Sequence, residues 1–173
     1  NLETEFSKDT IDLLYLAHQA GLVALQSREK GLEVSKDRAA NGFVTSGDFD
    51  VNNFIMSKAA LKFPGIGVLS EESPDQFNPE EFQKILIVDP IDGTRWYKDG
   101  GEIWSINLAL VENNEIRSAV IFQPDLSVIT FTEKGLGAFC QKGGKVTQIR
   151  TNPESDLSKV KVGIGTIFTE ANS

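Results

Sequence analysis

The chain has 173 residues, of which 40% are hydrophobic and 24% are charged, and its formal net charge is −8. This length and composition indicate one globular domain over residues 1–173 with a sizeable core, and they exclude an intrinsically disordered chain. The acidic charge and the lack of any basic run argue against a nucleic acid polymer as partner, because such binding depends on Lys and Arg side chains that neutralise phosphates. A small phosphorylated partner stays compatible with this charge if divalent cations lie between its phosphate and the carboxylates.

The sequence carries no sign of export or of a membrane span. No apolar run is long enough to cross a bilayer, and residues 1–5 lack the basic and apolar regions of a signal peptide. Cys140 is the only cysteine, so an internal disulfide is impossible. We therefore expect a cytoplasmic protein with no membrane partner. Cys140 is expected to act as a small packed hydrophobe rather than as a nucleophile.

The first element in chain order is a predicted helix over residues 7–30. Its apolar residues recur at helical spacing, and Gly31 follows as a stop signal. His18, the only histidine, falls within this pattern. It is therefore interpreted as an interfacial helix residue.

A second helix is predicted after a polar stretch. Residues 35–42 are expected to form a loop, and residues 43–45 a short extended run. The helix is expected to begin near Asp48 or Asp50 and to end before Pro64, which cannot continue it.

The remainder of the chain is dominated by predicted strands. Residues 65–69 and 85–88 are short apolar runs, and residues 75–83 between them are expected to form a loop that includes at most one helical turn. Extended runs are predicted at 103–111, 116–123, 128–132, 137–141, 145–149 and 160–167, with turn signals at Asn113-Asn114, Pro124-Asp125 and Gly143-Gly144. Helices followed by successive hairpins indicate an α+β fold, with two N-terminal helices packed on one face of a largely antiparallel sheet.

The segment Asp89-Pro90-Ile91-Asp92-Gly93-Thr94 directly follows the apolar run at 85–88. A buried strand is expected to end there and to deliver two carboxylates and a hydroxyl into one tight turn. Two carboxylates about 4 Å apart repel by about 4 kcal/mol at an effective dielectric constant near 20. Such a pair needs protons or cations, so the segment is interpreted first as a metal site with a reactive hydroxyl beside it.

Acidic pairs stand at the ends of three predicted elements: Asp48 with Asp50, Glu71 with Glu72, and Asp89 with Asp92. Oxygen ligands of this kind suit Mg²⁺, whereas the scarcity of Cys and His excludes a zinc site and the spacing excludes an EF-hand. Each pair also has a plain structural alternative as a turn, a solvated pair or a helix N-cap. The three pairs together favour the metal site.

Two of these segments also carry a family resemblance. Leu69-Ser70-Glu71-Glu72-Ser73, followed by Val88-Asp89-Pro90-Ile91-Asp92-Gly93-Thr94, resembles the paired signature of the inositol monophosphatase superfamily. The resemblance implies a Mg²⁺-dependent, lithium-sensitive phosphomonoesterase. It extends from the first helix to the hairpins beyond residues 105–110, and it implies the N-terminal α+β layer of that fold.

The resemblance implies a metal-ligand set. Glu71, Asp89 and the backbone carbonyl of Ile91 would hold a first Mg²⁺, and Asp89 with Asp92 would bridge to a second. The metals would lower the pKa of the attacking water and stabilise the leaving alkoxide.

The resemblance also implies catalytic and substrate-binding roles. Thr94 with Glu71 would orient and deprotonate the attacking water, and Asp48 would support Thr94 from the outer shell. Gly93 and Thr94 would offer backbone N–H groups to the phosphate. Arg95 is a candidate contact for a second phosphate, with solvated surface charge as the alternative.

The sequence departs from the family pattern at one motif. The family's C-terminal Trp-Asp motif, whose Asp completes the second metal site, does not occur in this chain. We therefore expect the N-terminal portion of such an enzyme. The expected substrate is an inositol monophosphate or a 3′-phosphoadenosine 5′-phosphate type of nucleotide. The alternative is a non-catalytic metal- or phosphate-binding fragment that needs a C-terminal segment. Family members are commonly homodimers, so a homodimer is also compatible, although no stretch marks its surface.

Overall fold

The fold was analysed in a computed structural model, which describes residues 5–37, 42–73, 77–153, 156 and 159. The helices are α1 (Lys8–Lys30), α2 (Ser46–Lys62) and the short α3 (Thr94–Lys98), with a 3-10 turn at Pro79–Glu81. The strands are β1 (Val34–Asp37), β2 (Gly42–Thr45), β3 (Gly67–Ser70), β4 (Lys84–Asp92), β5 (Ser105–Glu112), β6 (Glu115–Gln123), β7 (Val128–Glu133), β8 (Gly137–Lys142) and β9 (Lys145–Ile149).

The strands form two sheets, and this confirms the α+β prediction. β1 and β2 make a small antiparallel pair, whereas β3 to β9 form a seven-stranded sheet in chain order. Only β3 and β4 run parallel, and each later neighbour is antiparallel to the one before it. Successive hairpins therefore build most of the sheet, as the turn signals predict.

Helix α1 agrees with its prediction. The Ser7 side chain caps its N-terminus by accepting a hydrogen bond from the Thr10 backbone N–H, and Gly31 follows its last residue. Glu133 on β7 adds a long-range cap, because its Oε2 accepts hydrogen bonds from the Ser7 N–H at 2.9 Å and from the Thr10 hydroxyl at 2.6 Å. His18 is exposed and stacks on Phe122 with ring centroids 5.4 Å apart, which confirms an interfacial role.

Helix α2 begins earlier than predicted. It starts at Ser46, with Thr45 as its N-cap and Asp48 as the third helical residue. The Asp48 carboxylate accepts a hydrogen bond from the Thr45 backbone N–H, which completes a capping box. The prediction of a start at Asp48 or Asp50 was wrong because a capping box places its acidic residue three positions inside the helix.

The predicted loop at residues 35–42 is also corrected. Residues Val34–Asp37 form β1 and pair with Gly42–Thr45. The strand β1 was not recognised because its residues are mostly polar. The pair of β1 and β2 lies apart from the main sheet and lacks a continuous apolar alternation. The tip of the predicted loop, residues 38–41, lies outside the described residues, as does the strand predicted at 160–167.

The hairpin predictions are confirmed. The runs predicted between residues 103 and 149 correspond to β5 to β9, each within a few residues of its expected bounds. Asn113 and Asn114 both adopt positive φ angles, of 52° and 60°, as a tight two-residue hairpin turn requires. The predicted helical turn in 75–83 corresponds to the 3-10 turn.

The two faces of the main sheet differ in whether helices pack against them. One face packs against α1 and α2 through buried residues that include Leu86, Val88, Ile106, Leu108, Leu110, Val120, Phe122 and Phe131. The second face carries Ile87, Ala109, Ala119, Ala138 and Ile149 in one row, with Ile121 in the next. Ile87, Ile121 and Ile149 are 42%, 47% and 39% exposed. Within the described part of the chain, this second face is open to solvent.

No helix among the described residues combines the length and the apolar character that crossing a bilayer demands.

Candidate metal and phosphate site

The parallel pairing of β3 with β4 brings the acidic segments together. Ser70 lies opposite Val88 in the register, so both strands reach the same edge of the sheet at the same level. The Glu71 backbone N–H donates a hydrogen bond to the Val88 carbonyl at 3.1 Å. This bond extends the pairing by one residue and places Glu71 beside Asp89.

Strand β4 does not end at Val88 as predicted but continues to Asp92. Asp89 pairs with Asn107 and Asp92 pairs with Ser105, so β4 uses three steps where β5 uses two. Pro90 lies within this bulge and has no N–H to contribute to the ladder.

The bulge decides where the two aspartates point. Residues three apart on a regular strand lie on opposite faces, but one extra residue returns the second of them to the same face. Asn107 and Ser105 share a face of β5, so their partners Asp89 and Asp92 also share one. It is the open second face, because Asn107 pairs onward with Ile121.

Asp89 is the most perturbed acid of this group. Burial, together with the neighbouring carboxylates of Glu71 and Asp92, raises its pKa to about 7, although the hydrogen bond from the Asn107 amide opposes this shift. Its Oδ1 atom is buried and has no hydrogen-bond partner among the described residues. A buried polar atom without a partner costs free energy, so this oxygen is suited to an added proton or cation.

Asn107 links the two aspartates and was not predicted as a site residue. Its Nδ2 donates a hydrogen bond to Asp92 Oδ2 at 3.2 Å. Its own Oδ1 is buried and, within the described residues, lacks a partner. The only signal in the sequence is one amide inside the apolar run of β5, and its cross-strand neighbour cannot be known before the register is known.

A second cluster surrounds the Thr94 hydroxyl. Thr94 Oγ1 lies 3.2 Å from Asp48 Oδ1 and 3.1 Å from the Ile91 carbonyl oxygen, both of which are acceptors. The hydroxyl has one proton, so a full hydrogen bond to Asp48 frees the Ile91 carbonyl for another partner.

Asp48 is held firmly in this cluster. It is only 2% exposed, and its Oδ2 accepts hydrogen bonds from the Thr45 N–H at 2.7 Å and the Thr45 hydroxyl at 2.6 Å. Burial raises its pKa, and the hydrogen bonds from Thr45 and Thr94 lower it in part. Thr45 is a second residue that the sequence reasoning missed, although a Thr three positions before an Asp is a recognisable capping signal.

Gly93 forms the junction between β4 and α3. Its φ of +87° lies in the left-handed region, and an added Cβ would lie 3.0 Å from the Ile103 carbonyl oxygen. A side chain at this position would therefore be strained and crowded. The Gly93 turn places the Thr94 backbone at the start of α3, next to the carboxylate group.

The structure brings most of the predicted site residues together, in two groups. In the first, Asp89 interacts electrostatically with Glu71 and with Asp92, and in the second the Thr94 hydroxyl lies between Asp48 and the Ile91 carbonyl. Arg95 is exposed on α3, and no hydrogen bond or ion pair among the described residues involves its side chain. Among the described residues, no three Asp, Glu, His or Cys side chains converge into a complete metal-binding cluster. The carboxylate oxygens suit a hard cation in their chemistry, but they make up only part of a ligand set. One of them, Asp89 Oδ1, is buried without a hydrogen-bond partner among the described residues.

Fold and site together define a class of protein: an α+β protein that gathers carboxylates at one edge of a sheet beside a hydroxyl held by a buried aspartate. The profile of the inositol monophosphatase family matches residues 8–171. The chain belongs to the inositol monophosphatase family, which confirms the resemblance found in its motifs.

The most similar curated proteins include phosphatases with different substrates in their names. The chain is 26% identical over 155 residues to a 3′(2′),5′-bisphosphate nucleotidase CysQ from Haemophilus influenzae, covering 88% of this chain and 57% of that protein. It is 30% identical over 158 residues to a histidinol-phosphatase from Chlorobaculum parvum, covering 91% of this chain and 57% of the relative. The chain thus spans little more than half the length of these relatives.

Solved structures share the fold. The extragenic suppressor protein suhB from Bartonella henselae matches with a TM-score of 0.71 and 28% identity, over 78% of this chain and 52% of that one. An IMPase from Thermotoga maritima matches with a TM-score of 0.69 and 28% identity, over 80% of this chain and 52% of that one.

Proposed function

We propose that this chain binds a divalent hard cation, Mg²⁺ in particular, at the carboxylates of Glu71, Asp89 and Asp92. The observation that carries this proposal is the buried Asp89 Oδ1, an acceptor without a partner among the described residues. The raised pKa of Asp89, which burial and two neighbouring carboxylates produce, supports it. Oxygen ligands of this type favour Mg²⁺ over softer metals.

We assign the ligand roles that the family resemblance implies. Glu71, Asp89 and the Ile91 carbonyl would hold one cation, and Asp89 with Asp92 would contribute to a second. The Thr94 hydroxyl supports this role for Ile91, because its donation to Asp48 leaves the carbonyl lone pairs available. A bound Mg²⁺ would neutralise the substrate phosphate and lower the pKa of nearby water.

We propose phosphomonoester hydrolysis as the reaction. The Thr94 oxygen accepts a hydrogen bond from the attacking water, since its own proton is donated to Asp48, and Glu71 takes the proton that the water loses. The water oxygen forms a bond to phosphorus and the ester P–O bond breaks. The leaving alkoxide takes up a proton from solvent and Glu71 releases its proton to solvent, so the products are an alcohol and inorganic phosphate. Asp48 keeps the Thr94 hydroxyl oriented because Thr45 fixes its carboxylate with two hydrogen bonds.

The proposed substrate is a small phosphorylated metabolite, either an inositol monophosphate or a 3′-phosphoadenosine 5′-phosphate type of nucleotide. The backbone N–H groups of Gly93 and Thr94 would contact the phosphate. Arg95 is exposed and free to reach a second phosphate, as a bisphosphate nucleotide would require. The names of the relatives, which include a bisphosphate nucleotidase and a histidinol-phosphatase, support the small-metabolite class.

A second candidate treats residues 1–173 as the N-terminal half of such an enzyme, binding metal and phosphate but needing further polypeptide for turnover. Three observations favour it. The chain spans 57% of the curated relatives above, and no three potential ligand side chains converge among the described residues. The chain also lacks the Trp-Asp pair expected to complete the second metal position.

Phosphate release tests both candidates. Wild type, Asp92→Asn and the control Asp99→Asn would be compared with inositol monophosphate and with 3′-phosphoadenosine 5′-phosphate, in Mg²⁺ with and without lithium. Asp99 is an exposed aspartate that pairs with Lys98, outside the carboxylate group. We expect Mg²⁺-dependent, lithium-inhibited release that falls about a hundredfold or more in Asp92→Asn alone. Equal activity in Asp92→Asn contradicts the assignment, and Mg²⁺ binding by calorimetry without turnover favours the second candidate.

A further inference from the structure

Helix α3 carries Thr94 at its first position but is too short to hold itself in place. It has five residues, and isolated helices of that length are unstable in water. Its orientation must therefore come from contacts with other elements. Those contacts converge on Tyr97, which is completely buried one turn after Gly93.

Tyr97 joins α3 to both long helices. Its backbone N–H donates to the Gly93 carbonyl at 3.0 Å, and its hydroxyl donates to the Ala24 carbonyl on α1 at 2.6 Å. On α2, a Cβ added at Gly47 would lie 2.4 Å from the Tyr97 hydroxyl, so only glycine permits this approach. The residue after Gly47 is Asp48, which accepts the Thr94 hydrogen bond.

Arg28, in the last turn of α1, packs its guanidinium group over two aromatic rings of this region. Its guanidinium carbon lies 5.5 Å from the ring centroids of both Tyr97 and Trp104. Tyr97 and Trp104 contact each other edge to face, with centroids 4.8 Å apart. A guanidinium group over two aromatic rings is a favourable cation–π arrangement, and it fixes the rings relative to α1.

Asp125, in the β6–β7 turn, locks Arg28 in this position. Its Oδ1 accepts a hydrogen bond from Arg28 Nη2 at 2.7 Å, and its Oδ2 accepts one from the Trp104 indole N–H. Arg28 Nη1 also donates to the Gly101 carbonyl at 3.4 Å, in the loop after α3. The side chains of Arg28 and Asp125 are 21% and 19% exposed, so this pair is better shielded from solvent than an ordinary surface ion pair.

We infer that Arg28 is a positioning residue for the Thr94 hydroxyl and acts through α3 and the loop that follows it. The Arg28–Asp125 pair holds Trp104 and Tyr97 against α1, and Tyr97 holds the Gly93–Thr94 turn. The loop also supports this turn directly, since a Cβ on Gly93 would lie 3.3 Å from the Trp104 Cα. Loss of the pair lets α3 move, so Thr94 spends less time in its hydrogen bond to Asp48. The catalytic consequence rests on the proposed function, whereas the effect on α3 does not.

The test compares Arg28→Gln, Arg28→Lys and Asp125→Asn with the control Lys62→Gln. Lys62 pairs with Asp12 at 2.6 Å, with side chains 27% and 14% exposed, so the control removes an ion pair of similar burial. Lys62 is the last residue of α2, about 20 Å along the helix from Asp48 by helical rise.

Amide hydrogen exchange of the full chain measures the effect on α3 without metal or substrate. We expect the Tyr97 and Asp99 amides to exchange about tenfold faster in Arg28→Gln and Asp125→Asn, while the amides of β5 and β6 stay unchanged. Arg28→Lys, which keeps the charge but lacks the planar stacking group, should give a smaller increase. Unchanged exchange in α3, or an equal increase in Lys62→Gln, overturns the inference.

A kinetic split separates positioning from general destabilisation. If the chain releases phosphate, kcat should fall about tenfold in Arg28→Gln and KM should change little, whereas Lys62→Gln should leave both unchanged. A rise in KM with unchanged kcat overturns the positioning role. Failure of the proposed function would be seen separately. The wild type would then neither bind Mg²⁺ nor release phosphate, while the α3 amides would still exchange faster in Arg28→Gln than in wild type.

Discussion

Asp89 combines burial with two neighbouring carboxylates, and its Oδ1 lacks a partner among the described residues. Charge repulsion of this kind destabilises the metal-free protein and is relieved when a cation binds. The proposed metal site therefore lowers the stability of the metal-free protein. This loss of stability can be measured without any substrate.

We predict that Asp89→Asn stabilises the metal-free protein by about 1–2 kcal/mol, because the amide removes a negative charge and can donate to Glu71. Urea unfolding at pH 8 with a chelator present measures this change. Asp99→Asn, an exposed control, should stay within about 0.5 kcal/mol of wild type. A variant less stable than wild type would show that Asp89 has a structural partner instead.

We predict that Thr94→Val lowers kcat of phosphate release by about a hundredfold or more, because the hydroxyl that orients the water is lost. Thr94→Ser retains the hydroxyl and should keep most of the activity. KM should change little in either variant, because the phosphate contacts proposed at this position are backbone N–H groups. A fully active Thr94→Val variant would remove Thr94 from the mechanism.

At the scale of elements, the N-terminus of α2 links helix capping to the site. Thr45 caps the helix and also holds the Asp48 carboxylate. We predict that Thr45→Ala lowers the free energy of unfolding by about 1 kcal/mol, a typical loss for an N-cap. Thr45→Ser keeps the hydroxyl and should be close to wild type in urea unfolding. Equal losses in both variants would mean that the threonine methyl group, not the hydrogen bond, matters.

The pairing of α1 with the β6–β7 turn predicts a pH effect. The hydrogen bond from Arg28 lowers the pKa of Asp125 below its usual value, although partial burial opposes this. A depressed native pKa adds stability above the unfolded-state pKa of about 3.9, and that stability is lost as the pH falls through the native value. The difference in unfolding free energy between wild type and Asp125→Asn should therefore be constant above about pH 5 and shrink in more acidic urea titrations. A difference that does not change with pH would contradict the linkage.

The elements were predictable where local signals decide them. The helical periodicity of residues 7–30 and the turn pairs of the hairpins depend only on nearby residues, and the structure confirms both. The bulge in β4 was not predictable, because it depends on the register with β5. The role of Asn107 was not predictable for the same reason, because its hydrogen bond to Asp92 joins β5 to β4 and depends on their register. The acidic residues could be proposed as ligands from the sequence because their types suit a hard cation, whereas the predicted end of β4 at Val88 was wrong.

At the scale of the whole molecule, the open second face of the sheet has consequences for solution behaviour. Ile121 on this face lies in the same cross-strand row as Asp89, because Asn107 pairs with both residues. Exposed apolar surface of this kind marks an interaction site or a risk of association.

We predict that the chain of 173 residues binds a hydrophobic dye such as ANS while folded, and that Ile121→Thr reduces the dye fluorescence. Leu61→Ser is the matched control, because Leu61 is 76% exposed but lies on α2, away from the sheet face. Dye fluorescence and sedimentation at several concentrations measure the effect. A reduction in Leu61→Ser equal to that in Ile121→Thr would contradict a special role for the second face.

The proposed binding of a divalent cation is located at the edge of the sheet where Asp89 lies. Paramagnetic broadening by Mn²⁺, followed in amide NMR spectra at substoichiometric metal, tests it most directly. We expect the amides of Glu71, Ile91 and Asp92 to broaden first, Mg²⁺ to reverse the effect, and Asp89→Asn to abolish it. Broadening that begins elsewhere, for example at the exposed acidic turn Pro79–Glu81, and survives in Asp89→Asn would contradict it.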